Sequence, residues 1–177
     1  PKQWAAADAR VSNNELGDNL FTNEELPRLL KNLIGDEKHW VLIGGPPCQA
    51  YSSVGASRNR SMSQYVPEED ERHYLYRHYL KVIAEHTPSI FIMENVPGIL
   101  STKLSGAKIF PQILRDLEQP AKSLGFGEAH HNYQLRYQIF SLSQTNHSDL
   151  LGHSTNASSD YVIHADYFGE KADRRIF

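Results

Sequence analysis

Two short apolar runs constrain this chain more than any other feature. Trp40-Val41-Leu42-Ile43 stops abruptly at Gly44-Gly45-Pro46-Pro47, and Ser89-Ile90-Phe91-Ile92-Met93 stops at Glu94-Asn95. A continuous run, rather than an alternating one, suits a strand covered on both faces, as in a parallel sheet. Parallel neighbours need a crossover, and the stretch between the runs supplies one. Residues 72–86 carry Tyr76, Tyr79, Leu80 and Ile83 at helical spacing and end at Thr87-Pro88. Strand, helix, strand, helix is the order of an α/β sheet.

The remaining pattern is expected to fill in around that unit. A helix over 23–33 begins at Asn23 as N-cap, carries Leu26, Leu29, Leu30 and Leu33 on one stripe, tolerates Pro27 in its first turn and ends at Gly35. Another is expected over 107–124, with Phe110, Leu114 and Leu117 facing inward and Gly125 closing it. Tyr133, Leu135, Tyr137 and Ile139 alternate with polar residues, which predicts a half-exposed strand. Residues 141–160, rich in Ser, Thr, Asn and His, read as a flexible surface insertion. Tyr161-Val162-Ile163 and Arg175-Ile176-Phe177 read as the last strands.

Size and charge narrow the class. The 177 residues suit one globular domain with a substantial core. Eighteen Lys and Arg against 21 Asp and Glu leave a formal charge of −3, so the chain has no overall basic field and is no histone-like polyanion binder. Any nucleic-acid contact has to come from a local patch. No apolar run reaches the length of about 18 residues that a membrane helix needs, and a soluble, cytoplasmic protein without membrane contact is expected. The single cysteine excludes an internal disulfide framework and a Cys-rich zinc site. The chain begins at Pro1 and stops at Phe177 within a strand-like run, so it is expected to be part of a longer polypeptide.

In open α/β sheets ligands sit beyond the carboxyl ends of the strands, and the two oddest segments fall there. In Gly44-Gly45-Pro46-Pro47-Cys48-Gln49-Ala50-Tyr51-Ser52 the glycines permit close backbone approach, the prolines stiffen the turn, and the only thiol sits at the tip. A lone cysteine is more often an inert core residue; the special residues around Cys48 point instead to a nucleophile. In Glu94-Asn95-Val96-Pro97-Gly98 a carboxylate follows directly on apolar strand residues, where burial is costly unless it is paired or protonated.

Together, Gly-Gly-Pro-Pro-Cys-Gln-Ala-Tyr-Ser and Glu-Asn-Val, separated by one helix, resemble the catalytic motifs of the DNA cytosine-5 methyltransferases. Asp70-Glu71-Arg72-His73-Tyr74-Leu75 is similar to the family's Asp-x-Arg-x-x-Leu segment. Ala165-Asp166-Tyr167 followed by Arg174-Arg175-Ile176-Phe177 is similar to its late strand pair. The resemblance spans residues 41–100 and part of 161–177. It implies a Rossmann-like, S-adenosylmethionine-dependent methyltransferase fold, present here as the central and late strands of a partial catalytic domain over 1–177. The family's glycine-rich cofactor loop, target-recognition region and C-terminal helix have no counterpart in this sequence.

The resemblance also assigns roles. Cys48 is the nucleophile that adds to C6 of cytosine, Glu94 holds the N3 and amine edge, Asn95 helps fix the loop carrying Cys48, and Arg175 contacts the base O2. Pro47 and Leu75 line the pocket for S-adenosyl-L-methionine, and Asp18 is matched to the acidic residue near the adenine. The partner is duplex DNA with its cytosine flipped out of the stack. Gln49, Ser52 and Ser53 offer polar contacts to it, and Arg58 and Arg60 can meet phosphates. A full-length protein of this kind is expected to be monomeric and of bacterial or phage origin.

The family's first arginine of the late strand aligns with Asp173 and its glutamine with Lys171, so base contacts from that segment depart from the pattern. A tRNA cytosine-5 methyltransferase shares the scaffold but carries a Cys-Phe-Thr signature that this sequence lacks. A non-catalytic DNA-binding relative and a cysteine hydrolase are the other classes considered. His130, His131, His147, His153 and His164 cluster in the second half without carboxylate or thiol at ligand spacing, and no metal is expected there.

Overall fold

The computed structural model describes residues 4, 11, 13–47, 75–143, 157–164 and 174–176. The chain divides into two compact units, Pro1–Glu37 and Lys38–Phe177.

In the first unit a π-helical turn, Phe21–Glu25, runs directly into helix α1, Leu26–Ile34. The helical path therefore starts before Asn23, the expected cap. Asp18 does the capping instead: its Oδ1 accepts the Phe21 N–H at 2.8 Å. Pro27 sits in the first turn of α1, and Gly35, at φ +60°, closes the helix with its N–H on the Lys31 carbonyl.

The second unit is built on a βαβ crossover. Strand β1, Val41–Gly44, pairs in parallel with β2, Ile90–Met93, in the register Val41 to Ile90 through Gly44 to Met93. Helix α2, Tyr76–His86, lies between them in sequence; residues 72–74, the expected start of this helix, lie outside the described residues. Thr87 takes the left-handed conformation at φ 48° and its N–H caps the Ile83 carbonyl, so the helix stops where Pro88 would have broken it.

Beyond β2 come a 3-10 turn, Pro97–Leu100, and a tight hairpin of β3, Lys103–Leu104, and β4, Ala107–Lys108. Its two turn residues, Ser105 and Gly106, both have positive φ, as a two-residue hairpin requires. The hairpin takes Ala107 and Lys108 out of the expected 107–124 helix. That helix is also divided, into α3, Ile109–Glu118, and a single turn α4, Pro120–Ser123. Pro120 has no N–H to continue the ladder, and Gln119 leaves helical geometry to accommodate it. The last elements are a 3-10 turn, Ser158–Tyr161, and antiparallel strands β5, Val162–His164, and β6, Arg174–Ile176.

The core joins one face of α2 to one face of α3. Tyr76, Tyr79, Leu80 and Ile83 pack with Ile99, Ile109, Phe110, Ile113, Leu117 and Tyr161, and Leu42, Phe91 and Met93 of the sheet lean on them. Phe110 meets Tyr161 edge to face at 5.3 Å. Only one side of the β1–β2 pair is covered this way. Val41, Ile43 and Ile90, on the other face, are exposed among the described residues, contrary to the expectation of two covered faces.

Residues 135–140 correct a second expectation. Leu135, Tyr137 and Ile139 are half-buried and Gln134, Arg136 and Gln138 exposed, so the alternation is real, but the segment joins no ladder. Its backbone is held by a helix end instead: the Tyr137 N–H donates to Glu118, and the Tyr137 hydroxyl donates to the Pro88 carbonyl at 2.7 Å. The expected insertion over 141–160 is packed at both described ends. Ser141 is buried and donates to the Asp160 carbonyl, as does Ser143, while Tyr161 enters the core; residues 144–156 lie outside the described residues. Among the described residues the strands form three separate two-stranded sheets.

Candidate active site

The carboxyl ends of β1 and β2 lie side by side because the strands are parallel and in register. The ladder continues one step past the strands, with the Glu94 N–H donating to the Gly44 carbonyl at 2.9 Å. Gly44-Gly45-Pro46-Pro47 and Glu94-Asn95-Val96 therefore leave the sheet as neighbours.

Asn95 ties them together. It is 3% exposed, and its Nδ2 donates to the Pro46 carbonyl at 3.2 Å while its Oδ1 accepts the Val96 N–H at 2.9 Å. One partner needs a donor and the other an acceptor, so the orientation of the amide is dictated and an aspartate could not replace it. Pro46 is buried and Pro47 exposed, so the turn emerges from the core at Pro47.

The two glycines are required by what approaches them. A methyl group at Gly45 would lie 2.7 Å from Glu94 Oε2, so the half-buried Glu94 carboxylate occupies the space that a side chain would take. A methyl group at Gly44 would lie 2.6 Å from the Tyr79 ring. Tyr79, a residue that helical spacing marks only as packing, is 6% exposed and donates its hydroxyl to the Ile92 carbonyl at 3.0 Å, with the Leu42 carbonyl at 3.4 Å. Burial holds its phenol well above the usual tyrosine value, so it remains a donor.

The other expected site residues are placed less fully. Leu75 is half-buried at the position just before α2. Asp18 belongs to the first unit, where its carboxylate caps the turn before α1. Arg175 lies on β6 opposite Ile163. Cys48, Gln49, Ser52, Ser53, Arg58 and Arg60 lie outside the described residues, as do Asp70 and Arg72; Cys48 follows directly on Pro47 in the chain. Among the described residues no three His, Cys, Asp or Glu side chains come together as metal ligands, and no helix is long and apolar enough to cross a membrane.

The model of the C-5 cytosine-specific DNA methylase family matches residues 13–138. The type II methyltransferase M.Bpa9945I of Bacillus paralicheniformis is 44% identical over 79 residues, covering 45% of this chain and 16% of that protein. M.AgeI of Thalassovita gelatinovora, also a type II methyltransferase, is 36% identical over 86 residues, 49% of this chain and 17% of its own length. M.AquIA of a Picosynechococcus species, another type II methyltransferase, is 31% identical over 99 residues, 56% of this chain and 35% of its own. The chain thus matches between 16% and 35% of the length of these relatives. No solved structure matches it.

Proposed function

The chain belongs to the C-5 cytosine-specific DNA methylase family, and from that membership we propose that the intact protein methylates C5 of cytosine in duplex DNA as the modification enzyme of a type II system. The β1–β2 pair is then part of a Rossmann-like sheet, and residues 1–177 are part of the catalytic domain. One observation carries the reading. The turn that leads to the only thiol and the segment bearing Glu94 leave adjacent parallel strands, joined by the Gly44 to Glu94 and Pro46 to Asn95 hydrogen bonds.

The chemistry explains why a thiol and a carboxyl belong together there. Cytosine C5 is a poor nucleophile until a thiolate adds to C6. The Cys48 sulfur forms that bond, and the electron pair of the C5–C6 double bond moves to C5, which becomes nucleophilic. The Glu94 carboxyl holds the N3 and exocyclic-amine edge of the base, stabilising charge that develops on the far side of the ring. S-adenosylmethionine, when bound, supplies an electrophilic methyl group to that carbon. A base then removes the C5 proton, the electron pair re-forms the double bond, and the Cys48 thiolate leaves.

The chain's other residues hold and admit the reactants. Pro47 is exposed past the end of β1 and Leu75 half-buried at the start of α2. Both offer the apolar surface that the carbon-rich parts of S-adenosylmethionine require, and both are proposed to line its site. Asn95 holds the Pro46 carbonyl and so fixes the stem of the loop bearing Cys48. A stacked base cannot reach a turn at a strand end, so the cytosine is swung out of the duplex. Arg175 is assigned to the base O2, Gln49, Ser52 and Ser53 to polar contacts, and Arg58 and Arg60 to phosphates. Such a protein works in the cytoplasm.

The test is transfer of a tritiated methyl group from S-adenosylmethionine by the intact protein to duplex DNA and, separately, to tRNA. Label in DNA cytosine C5 that is lost on Cys48→Ala is the expected result. Label in tRNA alone, or unchanged transfer by the variant, contradicts the proposal.

A further inference from the structure

We propose that Tyr79 is a positioning residue for the Gly44–Pro47 turn and the Glu94 carboxyl, acting through the backbone of Gly44. This inference rests on the reading of that turn as the stem of the thiol loop. Tyr79 projects from α2, the crossover helix, onto the sheet just before both strands end. Its hydroxyl donates to Ile92 of β2 at 3.0 Å and lies 3.4 Å from the Leu42 carbonyl of β1, so one phenol spans the two strands. Its ring edge meets Phe91 at a centroid distance of 6.4 Å and an angle of 81°, which limits how the ring can turn.

The same ring fills the space beneath Gly44 so closely that a methyl group there would sit 2.6 Å from a ring carbon. Gly44 in turn accepts the Glu94 N–H at 2.9 Å. Ring, glycine and glutamate backbone form a continuous stack, and the height of the ring sets the height of both emerging segments. Ordinary core packing would not require a hydroxyl here. The phenol differs from a phenylalanine of the same shape by the O–H that it donates to the Ile92 carbonyl, two residues short of Glu94.

Three variants test the stack in the intact protein. Tyr79→Phe keeps the ring and removes the strand link. Gly44→Ala sets a methyl group against the ring, and Gly44→Ala with Tyr79→Leu makes room for it. The readouts are the rate of covalent adduct formation with 5-fluorocytosine duplex DNA, the affinity for that duplex, and hydrogen exchange at the Glu94 amide. For Tyr79→Phe we expect the adduct rate to fall about tenfold, with DNA affinity changed less than about twofold and faster Glu94 exchange, since misplacement by a full ångström costs roughly a hundredfold. Gly44→Ala abolishes the adduct and the double variant recovers part of it. Wild-type adduct rate and wild-type Glu94 exchange in Tyr79→Phe would overturn the inference, as would a double variant no better than Gly44→Ala. If the unaltered protein forms no adduct, the functional reading fails, and Glu94 exchange then decides the positioning role by itself.

Discussion

Gly45 has no side chain, and the Glu94 carboxylate uses the vacancy, with Oε2 at 2.7 Å from where a Cβ would stand. Gly45→Ala is therefore expected to displace the carboxyl rather than unfold the chain, because that atom ends a flexible side chain. Methyl transfer should fall at least about tenfold, as misplaced catalytic groups do, with little change in the unfolding midpoint; equal activity would show that Glu94 has no fixed place. Asn95 predicts the opposite balance. Asn95→Ala strands the buried Pro46 carbonyl and the Val96 N–H, which costs about 1–3 kcal/mol per buried unsatisfied group. Asn95→Asp should be no better in denaturant unfolding, since a carboxylate oxygen would face the Pro46 carbonyl. A fully stable aspartate variant would contradict the assigned amide orientation. Both residues were conspicuous in the sequence because they interrupt apolar strands. Tyr79 was not, because a phenol on a helical stripe looks like packing until the strand carbonyls are seen beside it.

Among the elements, those with a continuous apolar pattern were the most legible. β1, β2 and α2 fall within a residue or so of the expected bounds over the described positions, since a run of four apolar residues ended by Gly-Gly-Pro-Pro allows little else. Alternation over residues 135–140 does not by itself make a strand, because alternating burial requires only a neighbour on one side, and here the end of α3 is that neighbour. The expected 107–124 range exceeds α3 because the stripe of Phe110, Leu114 and Leu117 does not mark its own ends, which the hairpin strand Ala107–Lys108 and Pro120 set. At the end of α2, His86 carries a further consequence. Its Nε2 is buried without a hydrogen-bond partner among the described residues, and burial pulls the ring's pKa below the usual value, against the smaller opposing effect of Glu85. The unfolded chain then takes up a proton near pH 6.5 that the folded chain resists. Stability is full above that pH and declines as pH falls through it. His86→Gln should flatten this decline in denaturant unfolding between about pH 7 and 5; an unchanged slope would place the acid sensitivity elsewhere.

Across the whole chain, charge bears on how duplex DNA would be held under the proposed function. A net charge of −3 gives no general attraction to phosphates, so the proposal assigns affinity to local cations such as Arg58 and Arg60 rather than to the acidic run Glu68-Glu69-Asp70-Glu71. Each phosphate contact adds about 0.9 to the salt slope of duplex binding. Replacing both arginines by alanine should reduce that slope by roughly 2 while leaving sequence preference unchanged. No change in slope would remove them from the interface. Alkaline stability also belongs to this scale, since Tyr79 and Tyr137 tie α2, β2, α3 and the 135–140 segment together through carbonyls. Burial pushes the Tyr137 phenol up to about 12 and Tyr79 further. Groups raised on folding stabilise fully below their unfolded value near 10, and that contribution disappears as pH climbs through the folded value.

The measurement that bears most directly on the central claim is a trap. Incubate the intact protein with S-adenosylmethionine and a duplex carrying 5-fluorocytosine at the target base, where fluorine at C5 blocks the release of the enzyme. A DNA–protein band that survives denaturation, with the modified peptide mapping to Cys48 and absent in Cys48→Ala, is the predicted result. A protein that methylates ordinary DNA cytosine but leaves no such band, or that is linked through another residue, would contradict the account.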